Sequence, residues 1–207
     1  MSDIKLLQLK ILTTYTGAGD EINRLIDSIT TYSIKESKEL QEQYQSLEHE
    51  SSLSENEKWF IQESLIDQNA ELEEVEELAY ELAIIALYKK IEITTKRAIK
   101  IVYPDINPQK LFKFKELKKE LKNKYIDIEA LTNYQAMNEL RCLNNSIKHS
   151  NIVNDELANY EGWVKNKQLS GLKTAFIRLN PLCQQYLGEI LSTFHTKYQE
   201  LSNNARD

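Results

Sequence analysis

Glycine and proline are nearly missing from this chain: 5 and 3 of its 207 residues, about a third of the usual share. They are the residues that let a backbone reverse sharply, so few tight turns are available and the elements between them must be long. Sandwiches and barrels need many Gly-rich turns, and a doubly wound sheet needs β-branched buried strands. Lys, Glu, Leu and Ile recur instead, and the composition predicts an all-α fold. We read a single-domain helical bundle over 1–207, with a long antiparallel helical hairpin around 20–102.

The remaining composition narrows the setting. With 41% hydrophobic residues the chain has enough apolar surface to fold. Its longest uncharged apolar stretch, Leu82 to Tyr88, is far short of the roughly 20 residues of a membrane span. Asp3, Lys5 and Lys10 interrupt any apolar run at the N-terminus, so neither a membrane helix nor a secretory signal is expected. Cys142 and Cys183 are too few for a disulfide framework and suit the cytoplasm.

Apolar spacing orders the helices. A short first helix around Leu6 to Leu12 is expected to break at Gly17 and Gly19, with Asp20 capping a second. Ser54 and Glu57 have the spacing of a capping box, in which serine oxygen and glutamate carboxylate each satisfy a free N–H at a helix start. A third helix runs from there to Tyr103-Pro104. Asn107-Pro108 opens a fourth. Thr132 and Gln135 repeat the box and open a fifth, whose core edge is Met137, Leu140, Leu143 and Ile147. One short helix is expected around Leu157 to Val164, and Asn180-Pro181 starts the last.

Charge is unevenly divided. From Glu39 to Glu81 there are 14 acidic residues and one lysine, while Leu82 to Lys124 carries 12 basic and 4 acidic residues. One reading is a basic face for a polyanion beside an acidic surface for a protein partner. The other, which the predominance of lysine over arginine favours, is a solvated basic face neutralised by acidic neighbours.

Common catalytic signatures are missing. There is no P-loop, no Cys-x-x-Cys and no His-Glu-x-x-His, and histidines at 49, 149 and 195 cannot build a metal site by local spacing. No cofactor or metal is expected. One segment differs, Asn138 to Ser150. At 100° per residue Arg141, Asn145 and His149 follow one another at about 40° intervals, with Lys148 about 20° to the other side of Arg141. A guanidinium, a carboxamide, an ammonium and an imidazole on one half-sheltered stripe can hold a phosphodiester and move a proton. The plainer reading is a helix C-terminus that favours Lys148 and His149 through its dipole, with Asn145 making a capping bond.

The string Asn144-Asn145-Ser146-Ile147-Lys148-His149, preceded by Arg141, resembles the motif of the HEPN superfamily, helical domains of bacterial toxin, antiphage and RNA-processing systems. The resemblance implies a metal-independent endoribonuclease, or a degenerate RNA-binding relative, working as a homodimer in a defence or toxin–antitoxin setting. It assigns His149 to proton transfer, Asn145 to orientation and Arg141 to phosphate charge, with Lys148 and Asn144 as further phosphate contacts. An antitoxin or other protein partner would take the acidic helices. The motif departs from the usual one: Asn144 stands where the family has arginine, and Arg141 lies one turn earlier. The alternative is a noncatalytic helical protein–protein interaction module.

Overall fold

The computed structural model describes residues 2–15 and 20–204. Among them are six α-helices and no strand: α1 (Ser2–Tyr15), α2 (Asp20–His49), α3 (Glu55–Val102), α4 (Phe114–Asn123), α5 (Tyr134–His149) and α6 (Leu172–Asn204). Short 3-10 turns occupy Pro108–Leu111 and Leu157–Asn159. The expected break at Gly17 and Gly19 and the cap by Asp20 lie outside the described residues and side chains. No helix among the described residues is long and apolar enough to cross a membrane.

The all-α expectation holds, and the chain divides into two compact units, residues 21–83 and residues 1–20 with 84–207. The first is a hairpin of α2 and the N-terminal part of α3. Only five residues separate the two helices, and so short a connection makes them antiparallel neighbours. Ser37 Oγ donates to Asn69 Oδ1 at 2.7 Å between them. The capping box forms as expected: Ser54 N–H and Oγ both donate to Glu57 Oε2 (2.8 and 2.6 Å), and Glu57 N–H donates to Ser54 Oγ at 3.4 Å. Ile26, Leu47, Leu65 and Tyr80 are buried along the seam.

The second unit holds the larger core. From α3, Ile84, Leu87, Ile91 and Ala98 are buried at steps of three, four and seven, the period of one helix face. They share the core with Leu121 of α4, Leu140 and Leu143 of α5, and Leu179, Leu187 and Phe194 of α6. α6 packs against both α1 and α5.

Three expected helix starts differ from the structure. The last helix begins at Leu172, and Pro181 lies inside it. Leu172, Ala175, Phe176 and Leu179 are all buried, and their burial outweighs the roughly 3 kcal/mol that an interior proline costs. Gly171, at φ +70°, turns the chain into this helix, and its carbonyl accepts from Ala175 N–H at 3.1 Å. α5 starts at Tyr134 after Asn133 and not after a Thr132–Gln135 box; Asn133 is left-handed (φ 61°) and makes no side-chain cap, and its Nδ2 donates to Gln185 Oε1 of α6 at 2.9 Å. Asn107 does cap, accepting from Gln109 N–H at 2.9 Å, but it caps a 3-10 turn. Extended backbone at Lys113 (ψ 122°) then separates that turn from α4.

The helix expected around Leu157 to Val164 shrinks to one 3-10 turn. Residues 151–171 form an irregular strap, closed by a bridge between Ile152 and Gln168 and anchored by buried Val153, Leu157 and Leu169. Lysines of the basic segment pair close by, Lys110 with Glu120 and Lys118 with Glu129 at 2.8 Å, Lys122 with Asp127 at 3.5 Å and Lys124 with Asp105 at 3.6 Å.

Candidate functional site

α5 is covered on most of its circumference, with Ala136, Met137, Glu139, Leu140, Cys142, Leu143, Asn144 and Ser146 all buried. What remains outward is a narrow strip through Asn138, Arg141, Asn145 and Lys148, at steps of three, four and three. The polar stripe seen in the sequence is therefore an edge of this helix that reaches the surface, as Gln135 and in part Ile147 also do.

Arg141 is engaged on every side. Its side chain is 16% exposed and its Nη2 donates to Glu156 Oε2 at 2.7 Å. Nε donates to Asn138 Oδ1 at 2.9 Å, and Asn138 Nδ2 in turn donates to the Tyr160 hydroxyl at 2.6 Å. The guanidinium carbon lies 5.1 Å from the centroid of Phe114, within cation–π range. The hydrogen bond from Arg141 holds the Glu156 carboxyl below the ordinary glutamate value. This cluster fastens the strap to α5.

The other four residues fall in different surroundings. Asn144 is 1% exposed; its Nδ2 donates to Asn145 Oδ1 at 3.4 Å, and its own Oδ1 has no protein partner. Asn145 is half-buried, whereas Lys148 and His149 are exposed in the last turn. The rise from Arg141 to His149 is roughly 12 Å. The structure thus leaves Asn145, Lys148 and His149 reachable along one edge, commits Arg141 to an internal carboxylate and places Asn144 in the core.

Neither cysteine is poised for nucleophilic chemistry. Burial pushes the Cys142 thiol up to about 11 and the Cys183 thiol up to about 12. Tyr88 is likewise pushed up to about 12 by burial. Phe114, Tyr88, Met137 and Ile190 line a cavity of about 40 Å³, far below the roughly 300–1,000 Å³ of small-molecule sites. Among the described residues no group of three His, Cys, Asp or Glu side chains is placed to hold a metal ion.

A second polar centre, unforeseen from the sequence, lies on the buried side of α5. The Glu139 side chain is 5% exposed. Its carboxylate accepts from Arg178 Nη1 and Nη2 (2.9 and 2.6 Å) and from Trp163 Nε1 (2.7 Å). One buried carboxylate therefore ties α5, α6 and the strap together. The signal was available: Glu139 falls among Ala136, Leu140 and Leu143 on the apolar face, where a charge survives only if it is paired.

Glu156 gives a test of the strap. Its lowered carboxyl contributes stability in full above the ordinary value of 4.5 and loses it as pH falls through the lower folded value. The side chain is 64% exposed, so the contribution is at most about 1 kcal/mol. Glu156→Gln should accelerate amide exchange across 151–171 at neutral pH, with little change in α6. Acidifying the wild type through that lowered value should reproduce the pattern. Unaltered exchange in both cases would remove the pair's assigned role.

No family model matches the chain, and neither a curated protein nor a solved structure is significantly similar to it.

Proposed function

We propose that this chain is a noncatalytic helical protein–protein interaction module, with its docking surface on the acidic hairpin. The observation that carries the reading is where large apolar side chains are left exposed. Among the described residues there are 20, and 10 of them, including Tyr32, Trp59, Ile66 and Leu78, belong to the hairpin unit of residues 21–83. Less than a third of the chain thus carries half of the exposed large hydrophobics among the described residues, which supports a contact surface on this unit. The capture of Arg141 by Glu156 supports the noncatalytic part, because a phosphate would have to displace an ion pair already in place. The free, buried cysteines suit a reducing compartment, and we place the module in the cytoplasm.

The HEPN-like reading stands second, as an endoribonuclease or RNA-binding relic of a defence or toxin–antitoxin system that works as a homodimer. What favours it is the reachable edge of Asn145, Lys148 and His149. RNA digestion separates the two readings. Wild type, His149→Ala and Glu156→Gln, each with and without EDTA, are expected to leave RNA intact. EDTA-resistant cleavage by wild type that falls 10²-fold or more in His149→Ala would reinstate the ribonuclease.

A further inference from the structure

The hairpin seam is unevenly packed. Ile26, Ala79, Tyr80 and Ala83 are buried at one end and Leu47 and Leu65 near the other. Between them the seam carries Ser33, Ser37 and Asn69 beside half-buried Leu72, and the Ser37–Asn69 bond holds the helices in register there. Beside this stretch runs a groove of about 520 Å³, with Leu40, Tyr44, Leu65 and Ile66 as its apolar surface and Gln41 and Gln45 along one wall. Ile66 is 52% exposed, and Leu40 and Tyr44 are only half-buried. Two helices leave this face open, and a third helix lying along it would close it as in a three-helix bundle.

We propose that the groove binds a basic amphipathic helix of a partner protein. The proposal rests on the interaction-module reading and names the partner's chemistry. Length follows from the walls: from Ser37 to Glu48 the groove spans roughly 17 Å of helix axis, which fits about three turns of ligand. Apolar anchors at i, i+3 or i+4, and i+7 would meet Leu40, Tyr44 and Ile66. Charge selects the partner's flanks. The hairpin unit has 17 acidic residues against 4 basic, a net of −13; a second hairpin would bring an equal negative charge against it, whereas lysines and arginines flanking an apolar stripe are attracted.

The test is a fluorescence anisotropy titration of the full chain with two labelled 14-residue amphipathic peptides, one of leucine and lysine, the other of leucine and glutamate. Saturable micromolar binding of the lysine peptide alone is expected at physiological salt. Ile66→Glu, in the groove, and Gln45→Trp, which fills it from the α2 wall without changing charge, should each weaken binding at least tenfold. Ser64→Glu adds the same charge on α3 about 160° around from Ile66, at an exposed position outside the groove, and should leave affinity within twofold. Circular dichroism confirms that each variant folds. Failure of wild type to bind, or equal losses in Ile66→Glu and Ser64→Glu, would overturn the proposal. So would a dimer by light scattering that Ile66→Glu dissociates, since a second copy would then own the groove. RNA cleavage by the same preparation would remove the interaction reading, while the titration alone decides the groove.

Discussion

Replacing Arg178 with leucine is expected to destabilise the chain by about 3–5 kcal/mol, the range for stripping one partner from a buried ion pair. The asymmetry of the pair sets this size. The Arg178 side chain is 46% exposed, whereas that of Glu139 is 5% exposed, so losing the arginine strands a carboxylate that water cannot reach. Trp163 Nε1 alone would remain to it. Leucine keeps most of the arginine stem's packing, so the loss reads out charge and hydrogen bonding. Glu139→Gln should be milder, about 1–2 kcal/mol: the amide stays neutral, its oxygen still accepts from Trp163, and Arg178 can turn to solvent. In the double variant the stranded charge is gone, and its loss of stability should fall short of the sum of the single losses by more than about 1 kcal/mol. Thermal melts would show a fall of roughly 10 °C for Arg178→Leu. A midpoint within about 2 °C of wild type would mean that Glu139 finds another partner.

Asn144→Arg should do still greater damage. The sequence resemblance makes this the position at which a HEPN-like motif carries arginine, so the substitution looks like a repair. In the fold the side chain is 1% exposed, on a helix covered on most sides. A guanidinium there exceeds the space of a carboxamide, whose hydrogen bond goes to neutral Asn145 and not to a carboxylate. Unpaired buried charge and overpacking each destabilise by several kcal/mol, enough together to exceed the stability of many domains. The expected result is insoluble protein, or a soluble chain without a cooperative melt. A folded Asn144→Arg variant melting near the wild-type temperature would show that α5 can rotate or shift to bring this position outward.

Much of the architecture is legible in the sequence because it depends on local properties. Few glycines and prolines enforce long helices, and Ser54 with Glu57 is a self-contained cap. Reading failed where distant residues decide. The box expected of Thr132 and Gln135 gives way to a start after left-handed Asn133, whose amide is held by Gln185, 52 positions away. Pro181 reads as a helix start until the burial of Phe176 and Leu179 is known. At the candidate site the stripe of Arg141, Asn145 and Lys148 was visible, yet its meaning depends on Glu156, 15 residues onward in an irregular segment. Asn144 was misplaced for a related reason: spacing alone gave α5 a single core edge, whereas neighbours cover both of its flanks.

The proline within α6 has a consequence for the shape of that helix. Pro181 and Ile177 both face solvent, so the hydrogen bond that proline cannot supply to the carbonyl four residues back is lost on the outer side. A helix that gives up a bond on one side opens there and bows the other way. α6 is thereby biased to curve around the core, its concave side toward Leu179, Cys183 and Leu187. A straight rod of 33 residues would diverge from a rounded interior; a bowed one can follow it, so a single helix serves as a continuous spine against both α5 and α1.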